Sequence, residues 1–371
     1  MRPDLVIVFA PVGGGHKAAA LATAEAARAR GLEVLVLDLF EHAARVVGDT
    51  YKAAHLAGQS AAPELYGSAY FAANRRGGAF EPVRRGFDHV VFAGLERRVR
   101  ELAPRAVVAT HHLPLVVLGR ARRRKVLRAP LVGVVTDYTA HACWAEKGVD
   151  AFAVGCELAR EELIGHGVLP RRITLTGIPI RRAFEDIPDV VNPRRGEPTR
   201  VLITSGGFGV GPMREIVRSF TGLRELSVTI VCGAMRGGVK RVTREAEEAG
   251  VVARVVGFEK DMPRRVAEAH VVVGKAGGLT VSESLAAGRP MITVGTVPGN
   301  ESYNERLVVQ GGAGWAAVPS EVGPLVARLR ERKLFEVMGK GARQLVVPHA
   351  AERLLALVER LAVSSERRRV A

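Results

Sequence analysis

The chain has 371 residues, and at about 150 residues per domain it holds two or three domains. Apolar residues make up 47% and charged residues 25%, which suits packed cores and excludes a mostly disordered chain. Lys and Arg number 54 against 38 Asp and Glu, a net charge of +16 that favours an anionic partner. The three cysteines, Cys143, Cys156 and Cys232, exclude a disulfide framework and form no CxxC pair, so no zinc site is legible.

The first predicted element is a buried strand at Leu5–Phe9. It is too short for a signal-peptide core and runs directly into Gly13-Gly14-Gly15-His16. No apolar run reaches the roughly 18 residues of a membrane-spanning helix. The expectation is a cytoplasmic chain, soluble or peripheral. An alanine-rich stretch, Lys17–Arg30, and a second apolar run, Val34–Leu37, complete a strand–glycine turn–helix–strand unit. Residues Tyr51–His89 form the irregular part of this half. They interleave aromatics with Arg75, Arg76, Arg84 and Arg85. Short apolar strands recur at Ala106–Ala109, Leu131–Val135 and Ala151–Val154.

A proline-rich stretch, Ile178–Arg200, reads as a linker. The pattern then starts again. Val201-Leu202-Ile203 leads into the glycine turn Ser205–Gly211 and a helix-compatible stretch. Strands follow at Val228–Val231, Ala253–Val256, Val271–Val273 and Met291–Val294. Ala350–Ala362 reads as an amphipathic helix and Glu366–Ala371 as a basic tail. Continuous apolar strands suit parallel sheets covered on both faces, so the chain is expected to fold as two doubly wound α/β domains. The boundaries expected are 1–180, a linker at 181–198, and 199–349, with the helix 350–371 packing back on the first domain.

Four clusters sit after strands, at the edge where open α/β sheets bind ligands. His16 follows the first glycine turn. It is either a packed or capping histidine or a general base, since imidazole accepts a proton near neutral pH. The run Thr136-Asp137-Tyr138 with His141 and Trp144 follows the buried strand Leu131–Val135. Asp137 either caps a helix or acts on a substrate or on the histidine, and Trp144 either packs or stacks on a sugar or headgroup. Gly274–Glu283 is a glycine turn opening a helix, suited to an anion. In it Thr280 and Glu283 form either a capping box or a hydroxyl donor and a ribose-binding carboxylate. Pro298–Asn304 reads as a polar loop able to hydrogen-bond sugar hydroxyls.

In this order and spacing the clusters resemble the diacylglycerol glycosyltransferases, with Thr176-Gly177-Ile178-Pro179 and Gly277–Glu283 among the matching motifs. More distantly the chain is similar to the N-acetylglucosaminyltransferase of the cell-wall lipid precursor. The resemblance implies a GT-B fold, two Rossmann-like domains facing a central cleft. It further implies an inverting transfer of a hexose from a UDP-sugar to a lipid, diacylglycerol being favoured. His16 would be the base, with Asp137 its alternative, and His141 and Trp144 would lie on the acceptor side. In the second domain the backbone near Phe258 would meet uracil, and Glu283 the ribose. Ser205, Gly206, Gly207, Gly277, Gly278 and Thr280 would hold the diphosphate. Asn300, Glu301 and Asn304 would contact the sugar; Asn300 stands where the lipid enzymes commonly carry Gln, which bears on the identity of the sugar. No metal and no cofactor are expected, the UDP-sugar being a substrate. The expected partners are that donor, a lipid acceptor and an anionic membrane surface on the inner face of the cell membrane. An enzyme like the cell-wall lipid-precursor N-acetylglucosaminyltransferase, a UDP-sugar epimerase of the same fold and, lastly, a nucleic-acid binder are the alternatives. The last has only charge in its favour and lacks the motifs of such proteins.

Overall fold

The computed structural model describes residues 2–43, 74, 91–204, 212–297 and 299–370. The chain divides into two compact units, Met1–Arg182 with Val347–Ala371, and Ala183–Val346.

In the first unit the strands are β1 (Leu5–Phe9), β2 (Val34–Asp38), β3 (Ala106–Ala109), β4 (Leu131–Val134), β5 (Ala151–Val154) and β6 (Ile173–Leu175). They form one sheet in the order β2-β1-β3-β4-β5-β6, every described pairing parallel. β1, β3, β4 and β5 are buried along their whole length, as continuous apolar runs in a sheet covered on both faces must be. Helix α1 (Gly14–Ala29) follows β1, α2 (Ala93–Leu102) precedes β3, α3 (His112–Arg123) follows β3, and α4 (Glu157–Gly165) follows β5. The alanines of α1 have a purpose. Ala20, Ala24 and Ala27 lie at helical spacing and are fully buried against Leu5, Ile7 and Phe9. The same layer holds Leu354, Leu355, Leu357 and Val358 of the last helix, Ala350–Val370. Each of those side chains contributes about 1.5–3 kcal/mol by leaving water. The last helix is thus part of the first unit's core.

In the second unit the strands are β7 (Thr199–Thr204), β8 (Leu226–Val231), β9 (Ala253–Val256), β10 (Val271–Gly274), β11 (Met291–Val294) and β12 (Gly314–Ala317). Their order is β12-β11-β10-β7-β8-β9, again parallel. Of the expected linker 181–198, residues 181 and 182 belong to the first unit and residues 183–198 are packed into this one. Val190 is buried in its core, Asp189 pairs with Arg343 at 2.7 Å, and Asn192 N–H donates to Glu336 at 2.9 Å. Prolines broke the periodicity there, but tertiary contacts fix the segment.

The strand orders decide where chemistry can occur. In the first sheet the chain reverses direction between β1 and β3, and in the second between β7 and β10. Such switch points leave a crevice at the carboxyl ends of the strands. The segments after β1, β3 and β4 leave at one such edge, because Val8 lies opposite Ala109, and Ala109 opposite Gly133.

Candidate active site

His16 is the third residue of α1. The helix is capped by the backbone of Gly13, whose φ of +82° an L side chain rarely adopts, and no side chain caps it. The half-buried ring stands at the switch point. Its Nδ1 lies 2.7 Å from the Thr110 carbonyl oxygen and 2.9 Å from Thr136 Oγ1. A carbonyl can only accept, so Nδ1 carries the proton and donates it. The neutral ring therefore keeps its lone pair on Nε2. Thr110 Oγ1–H donates back to the His16 carbonyl at 2.8 Å, so ring and backbone are held together. Burial makes the ring harder to protonate than an ordinary histidine. The negative charge of Asp137 and the Thr110 carbonyl oppose that shift without cancelling it. His16 is consequently neutral near pH 7, the state a proton acceptor needs.

Two other histidines of this unit, His111 and His141, have the opposite tautomer. His111 packs edge-on against His16 with ring centroids 4.4 Å apart. Its Nδ1 accepts the Leu113 N–H at 3.1 Å. His141 Nδ1 likewise accepts the Cys143 N–H at 3.1 Å. In their neutral forms both carry the proton on Nε2 and present a donor there. His141, and not Asp137, caps the short helix Ala142–Trp144. Trp144 is buried at 5% exposure within the first unit's core, with its ring near His112. That is a packing role, and it leaves no open indole face for an acceptor. Asp137 is half-buried in the loop after β4 and acts on His16 through its charge.

On the second sheet, helix Gly278–Ala286 follows β10 directly. Its N-cap is Gly277, with no side-chain cap. Thr280 is thus the third helical residue and Glu283 the sixth, one turn too deep for a capping box. Both are half-buried. Phe258 is exposed at 66%. Asn300, Glu301 and Asn304 are not in a loop: they open helix Asn300–Gln310 after β11, so Asn300 and Asn304 share a face. Asn304 is fully buried and its Nδ2–H donates to the Ala276 carbonyl at 2.9 Å, tying this helix to the glycine turn. Glu301 accepts the Val297 N–H at 2.7 Å. Ser205, Gly206 and Gly207 lie outside the described residues, as do Arg75, Arg76, Arg84 and Arg85.

Sequence reasoning named His16, Thr136 and Asp137 but not Thr110 and His111, which with Thr136 set the state of the ring. Thr110 and His111 share with His16 a place after a buried strand, but they lack the glycine turn that singled it out. Glu162 and Glu305 carried no such signal, since each lies within a helix. Glu305 accepts the Thr293 hydroxyl at 2.8 Å and the Thr296 hydroxyl as well.

Residues 16–180 match the monogalactosyldiacylglycerol (MGDG) synthase family, and residues 200–343 match the glycosyltransferase family 28 C-terminal domain. The processive diacylglycerol beta-glucosyltransferase of Bacillus thuringiensis is 26% identical over 325 residues, covering 84% of this chain and 81% of the relative. Among solved structures, MurG of Acinetobacter baumannii superposes with a TM-score of 0.64 at 19% identity, over 96% of this chain and 100% of that one. The UDP co-structure of S. aureus MnaA gives 0.62 at 14% identity, over 95% of each chain. The chain is a GT-B glycosyltransferase that resembles the processive diacylglycerol glucosyltransferases and MGDG synthases and, more distantly, the cell-wall lipid-precursor N-acetylglucosaminyltransferase.

Proposed function

We propose that this enzyme transfers a hexose from a UDP-sugar to diacylglycerol, with inversion and in a single displacement. The observation that carries the reading is the state of His16. It is a neutral ring with Nδ1 held by a carbonyl and Nε2 left as acceptor, inside the segment that matches MGDG synthase. The acceptor hydroxyl attacks the anomeric carbon and gives its proton to His16 Nε2. The bond from that carbon to the β-phosphate oxygen breaks, and UDP leaves with the electron pair. Asp137 steadies the imidazolium as it forms. Its negative charge acts on the ring.

On the donor side, the start of helix Gly278–Ala286 and the turn Ser205–Gly207 hold the diphosphate. Helix N–H groups and the helix dipole favour the charge that develops there. Glu283 binds the ribose, the backbone near Phe258 the uracil, and Asn300 and Glu301 the sugar. Asn304 serves that site through the glycine turn. The reaction as read calls for no cofactor beyond its two substrates.

The enzyme works on the inner face of the cell membrane as a peripheral protein. No helix among the described residues is long and apolar enough to cross a membrane. The net charge of +16 and the basic aromatic segment 51–89 favour an anionic surface. One assay tests the whole reading: purified enzyme, a panel of UDP-sugars, and diacylglycerol in vesicles, with products read by mass spectrometry. A hexosyl-diacylglycerol is the expected product. Conversion of the UDP-sugar without an acceptor, or transfer only to a polyprenyl-linked precursor, would overturn it.

A further inference from the structure

We propose that Glu162 is a positioning residue for the proton transfer, fixing the Asp137-bearing loop against His16. The inference rests on the reading of His16 as the base. Glu162 lies in the second turn of α4, remote from His16 in sequence. A single carboxylate oxygen, Oε2, accepts two bonds from the loop after β4: the Thr139 hydroxyl at 2.7 Å and the Ala140 N–H at 2.6 Å. A third tie comes from Cys156, which caps α4 and whose thiol donates to the Tyr138 carbonyl at 3.2 Å. Three consecutive residues, 138 to 140, are therefore bound to α4 and its cap. The two before them act on the histidine: Thr136 Oγ1 lies 2.9 Å from His16 Nδ1, and the Asp137 charge acts on the ring.

The anchor and the acting residues are adjacent in a short stretch of backbone, so slack at one end is felt at the other. The anchor is charged, and hydrogen bonds to a carboxylate are roughly twice as strong as neutral ones. The side chain of Gln has nearly the same shape and lacks that charge. Among the described residues, the titratable or charged groups around His16 are Asp137 from the loop after β4 and His111 from the turn after β3. On its own helix there is Lys17, whose ammonium sits over the Phe9 ring. Beside Glu162 stands Cys156, whose thiol burial keeps protonated, with the Glu162 charge acting in the same direction. Loosening the loop withdraws the Asp137 charge and changes nothing else in this set, so His16 becomes harder to protonate still.

The test uses the full chain carrying Glu162→Gln, and separately Thr139→Val, which removes one bond and leaves every charge. The imidazole resonances of His16 are titrated by NMR without substrates, hexosyl transfer is followed against pH, and UDP affinity is measured by calorimetry. In Glu162→Gln the His16 midpoint and the acid limb of kcat/KM move to lower pH. kcat falls about tenfold to a hundredfold, the scale of a misplaced catalytic contact, and UDP affinity stays. Thr139→Val moves the midpoint the same way by less. Asp137→Asn reproduces the displacement, and adding Glu162→Gln to it displaces the midpoint little further. A folded Glu162→Gln protein whose His16 midpoint matches the unaltered protein overturns the proposal. If Glu162→Gln does not fold, an unmoved midpoint in Thr139→Val does so. Absence of hexosyl transfer by the unaltered enzyme would end the functional reading alone, since the NMR titration judges the latch without activity.

Discussion

His16→Asn separates the histidine's structural task from its chemical one. Nδ1–H of His16 donates to the Thr110 carbonyl, and the amide nitrogen of Asn falls close to the place of Nδ1. The substituted side chain keeps that donor and has no atom at Nε2. Stability should then stay within about 1 kcal/mol, the net value of one hydrogen bond. His16→Ala removes the donor from a carbonyl at the switch point and should cost about 1–3 kcal/mol. Turnover behaves differently. A positioned base supplies about 10²–10⁴-fold, which at 1.36 kcal/mol per decade raises the barrier by about 3–5.5 kcal/mol in either variant. The groups read as binding UDP lie in the other unit, so its affinity should be unchanged. Thermal melting, calorimetry with UDP and single-turnover transfer measured by mass spectrometry give the three quantities. A folded His16→Asn enzyme that binds UDP and turns over within a few fold of the unaltered one would refute the assignment of the base.

Glu283→Ala should weaken UDP binding by about 1–3 kcal/mol, and no helix cap is lost with the carboxylate. Unchanged affinity in calorimetry would remove it from the donor site. Gly177→Ala should destabilise the fold measurably in thermal melting: its φ is +85°, and an added Cβ would stand 2.8 Å from the Val347 carbonyl oxygen. The second unit should lose stability as pH falls through a histidine. His270 is buried at 1% exposure, and that burial, with the Arg200 charge beside it, pushes its pKa down to about 4. The unfolded chain binds the proton first, so about 3 kcal/mol is lost between pH 6.5 and about 4, and His270→Gln should flatten melting across that window. Binding to anionic vesicles should weaken as salt shortens the screening length to about 8 Å, and equal binding to neutral vesicles would exclude electrostatic docking.

Much of the fold was legible because parallel sheets impose a plain pattern. Runs such as Leu5–Phe9 and Val271–Gly274 are buried on both faces and so must be apolar throughout. Two features were not legible. The segment 181–198 looked like a linker since its prolines erase periodicity, yet Asp189 and Asn192 are held by residues about 150 positions away. Asn300 to Asn304 looked like a loop because polar side chains crowd it, yet they open a helix started by the backbone of Gly299 at a φ of +125°. Local composition reports neither kind of constraint. The site was legible one residue at a time: strand ends marked His16 and Asp137, but their relation depends on Thr110 and Thr136, brought together only by the register of β1, β3 and β4.

That register also decides the tautomers of three histidines, which residue type leaves open. His16, His111 and His141 all follow strands of one sheet. Where a histidine stands just before a turn of helix, as His111 and His141 do, its Nδ1 accepts an N–H two residues on, and the proton is forced to Nε2. His16 stands inside its helix, so that local bond is denied to it, and its Nδ1 finds a carbonyl on a neighbouring strand's extension instead. The proton is then forced to Nδ1. The tautomer follows from the position relative to the helix start, and that position is set by the glycines before it. Gly13 takes a backbone conformation that ends the turn, α1 starts at Gly14, and His16 falls on the third residue. Lengthening the glycine run by one residue would carry the ring about 100° around the helix axis and off the Thr110 carbonyl. The three glycines thus do more than admit a ligand's approach, for they fix which nitrogen of His16 can take a proton.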